Sequence, residues 1–98
     1  MRNLKNQFRA GLNKLVRAKG YNIAYVTGLP VSEAIEQAWN ILYEFYYNMY
    51  KVDLKREGQY IDLSPIEYAY QSGHITNLFL LAAALFTDDV KEMFWEWA

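Results

Sequence analysis

Residues 33–56, EAIEQAWNILYEFYYNMYKVDLKR, decide how this chain folds. Ile35, Ala38, Trp39, Leu42, Phe45, Tyr46 and Met49 recur three and four positions apart, the spacing that gathers side chains on one side of an α-helix. No glycine or proline interrupts them. Pro30 or Ser32 opens the segment, with Ser32 suited to the N-cap and Glu33 in the first turn; Lys55, Arg56 and Gly58 read as a basic last turn and a stop. The spacing predicts one long helix over 33–56, central to an all-α fold. At about 100° per residue, Tyr43, Tyr47, Tyr50 and Leu54 form a second stripe beside the first, with Ile41 and Val52 on the other flank. The apolar and aromatic arc then covers roughly two thirds of the circumference. That is more than one neighbouring helix hides.

Toward the N-terminus, Leu4, Phe8, Leu12, Leu15 and Val16 keep helical spacing, while Arg2, Arg9, Lys14 and Arg17 occupy the opposite side. Gly20 supplies a stop, with Arg17 and Lys19 in the last turn where cations suit the helix dipole. In 21–28 Tyr21, Ile23 and Tyr25 alternate like a short strand, and the segment reads as a connector holding at most one helical turn.

Toward the C-terminus, Ser64, Pro65, Ile66 and Glu67 combine a capping box with proline at the first helical position, and Gly73 closes that short helix. From Ile75 the run ITNLFLLAAALF holds no polar residue after Asn77, which predicts a helix apolar on all faces. Thr87 reads as the break that caps a last helix with Asp88 and Asp89 in its first turn and Val90, Met93, Phe94 and Trp97 inward, Trp95 pointing elsewhere. The expected architecture is a single compact bundle of four to five helices spanning 1–98.

Charge is segregated. Six Lys and Arg and no acid lie in residues 1–19, leaving four cations against all eleven Asp and Glu in 20–98, a net charge of −7 there. The apolar share of 53% excludes a disordered chain, and the absence of cysteine excludes disulfides, thiolate catalysis and thiolate-bound metal. The longest wholly apolar run, Leu78 to Phe86, is about 14 Å of helix against a hydrocarbon core of about 30 Å. The basic N-terminus lacks the apolar core of a signal peptide, so a cytoplasmic location is the default expectation.

Few residues invite chemistry. His74 is the sole histidine, too few for a zinc site or a nucleophile–base pair, and following Gly73 it reads as a cap or a surface residue. Asp88, Asp89 and Glu92 have a spacing open to a divalent cation, but acids after a threonine cap are what a helix N-terminus favours. TGLPVS lacks the second glycine and the lysine of a phosphate loop. Ala24, Gly28 and Ser32 partly match a helix-turn-helix, yet Glu33 and Glu36 would face the phosphates. No enzyme activity, cofactor or metal is expected.

The reading that follows is a non-enzymatic protein-binding module, expected to be a homodimer and of the physical type of small inhibitors or regulators that phages encode. Its contact residues would be Tyr43, Tyr47, Tyr50, Leu54 and Trp95, because tyrosine and tryptophan concentrate in the buried centres of interfaces. The alternative is a nucleic-acid-binding protein working through Arg2, Lys5, Arg9, Lys14 and Arg17. Phe8 is the only aromatic ring in that basic stretch and falls on its apolar side, so base stacking is not expected there. The basic face is open to three neighbours: phosphate, an acidic partner, or the chain's own carboxylates such as Glu36, Glu44 and Glu67.

Overall fold

The computed structural model describes the backbone of residues 4–97 and the side chains of residues 6–86. Among these residues there are five α-helices and no strand: α1 (Leu4–Thr27), α2 (Val31–Tyr50), α3 (Leu54–Tyr60), α4 (Pro65–Ser72) and α5 (Ile75–Trp97). The fold is an all-α bundle. Its pivot is α1, which packs along both α2 and α5, while α3 and α4 form a short pair whose second helix rests on α5.

α1 passes through Gly20 instead of stopping there. Leu12, Val16 and Gly20 are buried and Ile23 packs on the core, so one inward stripe runs from 12 to 23 without a break in period. Tyr21 and Tyr25, which alternate with Ile23 in the sequence, are one helical turn apart on the exposed side. The connector expected over 21–28 is therefore helix. Gly20 has a packing role: a Cβ built there would lie 2.5 Å from Ile35 Cγ1 and 2.7 Å from Ile35 Cα, so the crossing of α1 and α2 requires its bare backbone. The true stop is Gly28, at φ +77°, where its N–H donates to the Ala24 carbonyl at 2.9 Å.

The single helix expected over 33–56 is two helices. α2 opens after Pro30, whose side chain provides no capping bond, and ends where Lys51 takes a left-handed conformation at φ 59° and donates its N–H to the Tyr47 carbonyl at 2.8 Å. Asp53 then caps α3, its Oδ1 accepting from the Arg56 N–H at 3.1 Å. The break turns Leu54, which a continuous helix would put beside Tyr47 and Tyr50, into the core. Lys55, Arg56 and Gly58 consequently lie inside α3, and Gly58 is buried where the Leu63 carbonyl passes 2.6 Å from its missing Cβ.

The Ser64 half of the capping box is present, its Oγ accepting from the Glu67 N–H at 3.2 Å, while the Glu67 carboxylate pairs with Arg9; Pro65 is the first helical residue and Gly73, at φ +86°, ends α4. α5 continues through Thr87, since nothing from 82 to 97 removes a backbone donor or forces a positive φ. Nor is its apolar run buried all round, for Leu80 is exposed opposite the buried Leu78, Leu81, Ala82 and Phe86. The core unites Leu12 and Val16 of α1, Ala38, Leu42 and Tyr46 of α2, Leu54, Ala69, and Ile75, Leu78, Leu81, Ala82 and Phe86 of α5. Each of its large side chains contributes about 1.5–3 kcal/mol through removal from water.

Candidate binding surfaces

The aromatic stripe divides on folding. Leu54 is wholly buried and does not belong to any surface, a correction that follows from the break at Lys51 turning α3 inward. Tyr43 is partly buried, its ring stacked on Trp39 at 5.7 Å and packed against the core, and that burial pushes its phenol well above the ordinary tyrosine value. Tyr47 and Tyr50 are exposed, at 48% and 43%. The Tyr50 ring leans on the buried Tyr46 ring with centroids 4.5 Å apart, which fixes it against the core edge. Trp95 and its neighbours Asp88, Asp89 and Glu92 have side chains outside the described residues.

The structure adds residues the sequence reading assigned elsewhere. Phe45 and Met49, which the spacing places on the inward stripe of α2, are exposed, although Tyr46 beside them is fully buried. Tyr60 and Ile61, at the end of α3, are exposed at 68% and 57%. Three cations lie over tyrosine rings here: Lys51 Nζ 5.9 Å from the Tyr47 centroid, Lys55 Nζ 5.8 Å from Tyr43, and Arg56 Cζ 5.9 Å from Tyr60. Arg56 Nε also donates to the Tyr60 hydroxyl at 3.1 Å, and Lys55 donates to Asn40 Oδ1. Asp53, Glu57 and Asp62 are exposed in the same segment, so its charge is balanced. The signal for this surface is the density of Lys, Arg and Tyr in 43–60, which a single helix over 33–56 with Lys55, Arg56 and Gly58 as its last turn and stop conceals.

The basic residues of α1 have different surroundings. Arg9 is half-buried and forms an ion pair with Glu67, one of the chain's own carboxylates, while its guanidinium lies 5.5 Å over the Tyr70 ring. The Tyr70 hydroxyl donates to Asn6 Oδ1 at 2.8 Å, joining α4 to the start of α1 a second time. Lys14 and Arg17 are exposed. Arg2 and the side chain of Lys5 lie outside the described residues. Neither Glu36 nor Glu44 makes an ion pair among the described residues.

His74 precedes α5, and its carbonyl accepts the Leu78 N–H at 2.9 Å, so it does cap the helix. Its ring is also used: Nδ1 is 2.7 Å from the hydroxyl of the fully buried Tyr46, and the ring lies between Tyr46 edge-on at 5.7 Å and Tyr68 stacked at 6.1 Å. Burial pushes the Tyr46 phenol above its ordinary value, with Asn77 pulling in the opposite sense. Among the described residues no three His, Asp or Glu gather as a metal site would require, and no helix is long and apolar enough to cross a membrane. Comparison with family models, curated proteins and solved structures finds no match to the chain.

Proposed function

We propose that the chain is a non-enzymatic protein-binding module, an inhibitor or regulator of a larger complex, that associates through the aromatic surface of α2 and α3 and takes a second copy of itself as its first partner. The observation that carries this reading is the concentration of exposed Phe45, Tyr47, Met49, Tyr50, Tyr60 and Ile61 within 17 positions of the sequence. Tyr47 under Lys51 and Tyr60 under Arg56 are rings held by neighbouring cations and lose little side-chain entropy on docking, and tyrosines concentrate in the buried centres of interfaces. The balanced charge of the surface suits a protein partner better than phosphate.

The test is light scattering at low micromolar concentration, followed by affinity capture from the native host with the wild type and with Tyr47→Ala plus Tyr60→Ala. A dimeric mass that the double variant reduces to a monomer supports self-association, and a strict wild-type monomer removes it. Partners captured by the wild type and released by the variant support the wider reading. An identical captured set from both proteins overturns it.

A further inference from the structure

Because α1 runs to Thr27, it places two tyrosines beyond Gly20 on the same side as its exposed cations. Lys14, Arg17, Tyr21 and Tyr25 follow one another at intervals of three, four and four residues, so they fall within about 80° of arc and extend over about 16 Å of helix. All four are exposed, Tyr21 at 45% and Tyr25 at 91%. Unlike Tyr43, Tyr47 and Tyr60, neither ring is covered by a cation or stacked on another ring among the described residues. No acidic residue precedes Glu33, so α1 contributes no carboxylate to repel an anion.

We infer that this ridge of α1 binds single-stranded nucleic acid, with Lys14 and Arg17 on the phosphates and the faces of Tyr21 and Tyr25 stacking on successive bases. Cations beside uncovered aromatic faces are the combination by which proteins hold single strands without reading sequence, since every base offers a π-face. An acidic protein would satisfy the cations as well, and the polyglutamate arm of the test separates it from a single strand. The α2–α3 surface lacks the same capacity, because Tyr47 and Tyr60 already carry their own cations, Tyr50 leans on Tyr46, and Asp53, Glu57 and Asp62 offset its charge. The two surfaces involve different residues, so each is tested without the other.

The probe is a fluorescein-labelled oligothymidylate of about 12 nucleotides, within the range one small binding module occupies, titrated with the full chain at about 50 mM salt, where such binding is strong. Binding by the wild type is expected, weakened about tenfold or more by Tyr21→Ala plus Tyr25→Ala and retained by Tyr21→Trp plus Tyr25→Trp. Lys14→Ala plus Arg17→Ala is expected to lower the slope of log affinity against log salt by about 1.4, two phosphate contacts at the single-strand value. These side chains are exposed, and an unchanged circular-dichroism melting curve for each variant shows that the fold is kept. Absence of binding overturns the inference, as does binding that the tyrosine pair does not affect. Equal binding of polyglutamate with the same dependence on the four residues would show a surface that senses charge alone, and also overturns it.

Discussion

The hydroxyl of Tyr46, in the middle of the core, lies 2.7 Å from Nδ1 of His74 at the head of α5. It satisfies a buried phenol that would otherwise cost about 1–3 kcal/mol, and it ties α2 to the junction of α4 and α5. Tyr46→Phe should therefore lower stability by about 1 kcal/mol, the net worth of one hydrogen bond, whereas Tyr46→Ala should cost about 3–5 kcal/mol by opening a cavity. Urea unfolding measures both; a Phe variant as unstable as the Ala variant would contradict a division into bond and packing.

The same burial gives the stability a pH dependence at alkaline values. Tyr43 and Tyr46 both have phenols raised above their ordinary value near 10, so the folded chain retains protons that the unfolded chain releases. Their contribution is full below that ordinary value and is lost as pH rises through it toward the folded-state values. Stability should thus decline above pH of about 10, and Tyr43→Phe plus Tyr46→Phe should flatten the decline while lowering stability at neutral pH. Denaturant midpoints at pH 8 to 11 measure the slope.

Gly20→Ala is a substitution that improves helix propensity and should nevertheless destabilise. Alanine gains about 1 kcal/mol over glycine inside a helix, but the new methyl meets the Cα of Ile35 at 2.7 Å, and a backbone atom cannot swing aside. A net loss of about 1–3 kcal/mol is expected, or roughly 4–8 °C in melting temperature per kcal/mol for a domain of this size. Ile35→Ala in the same chain should recover little, because it removes the side-chain clash and leaves the backbone one. A melting temperature that rises would mean that the two helices do not cross at this point.

The break between α2 and α3 gives a test of opposite signs. If residues 33–56 were one helix, Asp53→Ala would stabilise it slightly by propensity. As the cap of α3, with Oδ1 holding the Arg56 N–H, Asp53 should instead be worth about 1 kcal/mol, and its loss should loosen Leu54 and the α3–α4 pair. Thermal melting of Asp53→Ala decides between the two signs, and Asp53→Asn, which keeps an acceptor, should stay close to the wild type.

Period and capping chemistry made the helices legible, but three of the boundaries between them were not. The start of α4 is legible because the Ser64 cap and Pro65 at the first helical position act through local geometry alone, whereas the Glu67 carboxylate turns to Arg9. Gly20 misled because a glycine that ends a helix and a glycine that admits another helix are the same residue, and only the neighbour, Ile35, distinguishes them. The break at Lys51 carries neither glycine nor proline, and a left-handed lysine leaves no mark in composition. Thr87 resembled a cap, yet a threonine also fits within a helix that its surroundings continue. On the surface, the exposure of Tyr47 and Tyr50 is legible in the stripe, whereas that of Tyr21 and Tyr25 depends on α1 passing Gly20 and the burial of Leu54 on the break at Lys51.

Arg9 and Glu67 join α1 to α4 across 58 positions of sequence, and the pair bears on how the basic helix is used. Both side chains are about a third exposed, so water and salt screen them and their coupling should be only about 0.2–1 kcal/mol in a double-mutant cycle of Arg9→Ala and Glu67→Ala. Adding about 1 M salt should reduce that coupling toward zero, since the screening length falls to about 3 Å. The guanidinium also rests on Tyr70, whose hydroxyl holds Asn6, so Arg9→Lys should lose more than charge alone implies. The cycle has a consequence for binding as well: an Arg9 already committed to Glu67 should contribute little to the salt dependence of nucleic-acid retention compared with Lys14 and Arg17. An Arg9→Ala chain whose salt slope falls as far as that of Lys14→Ala plus Arg17→Ala would show that Arg9 leaves Glu67 for phosphate.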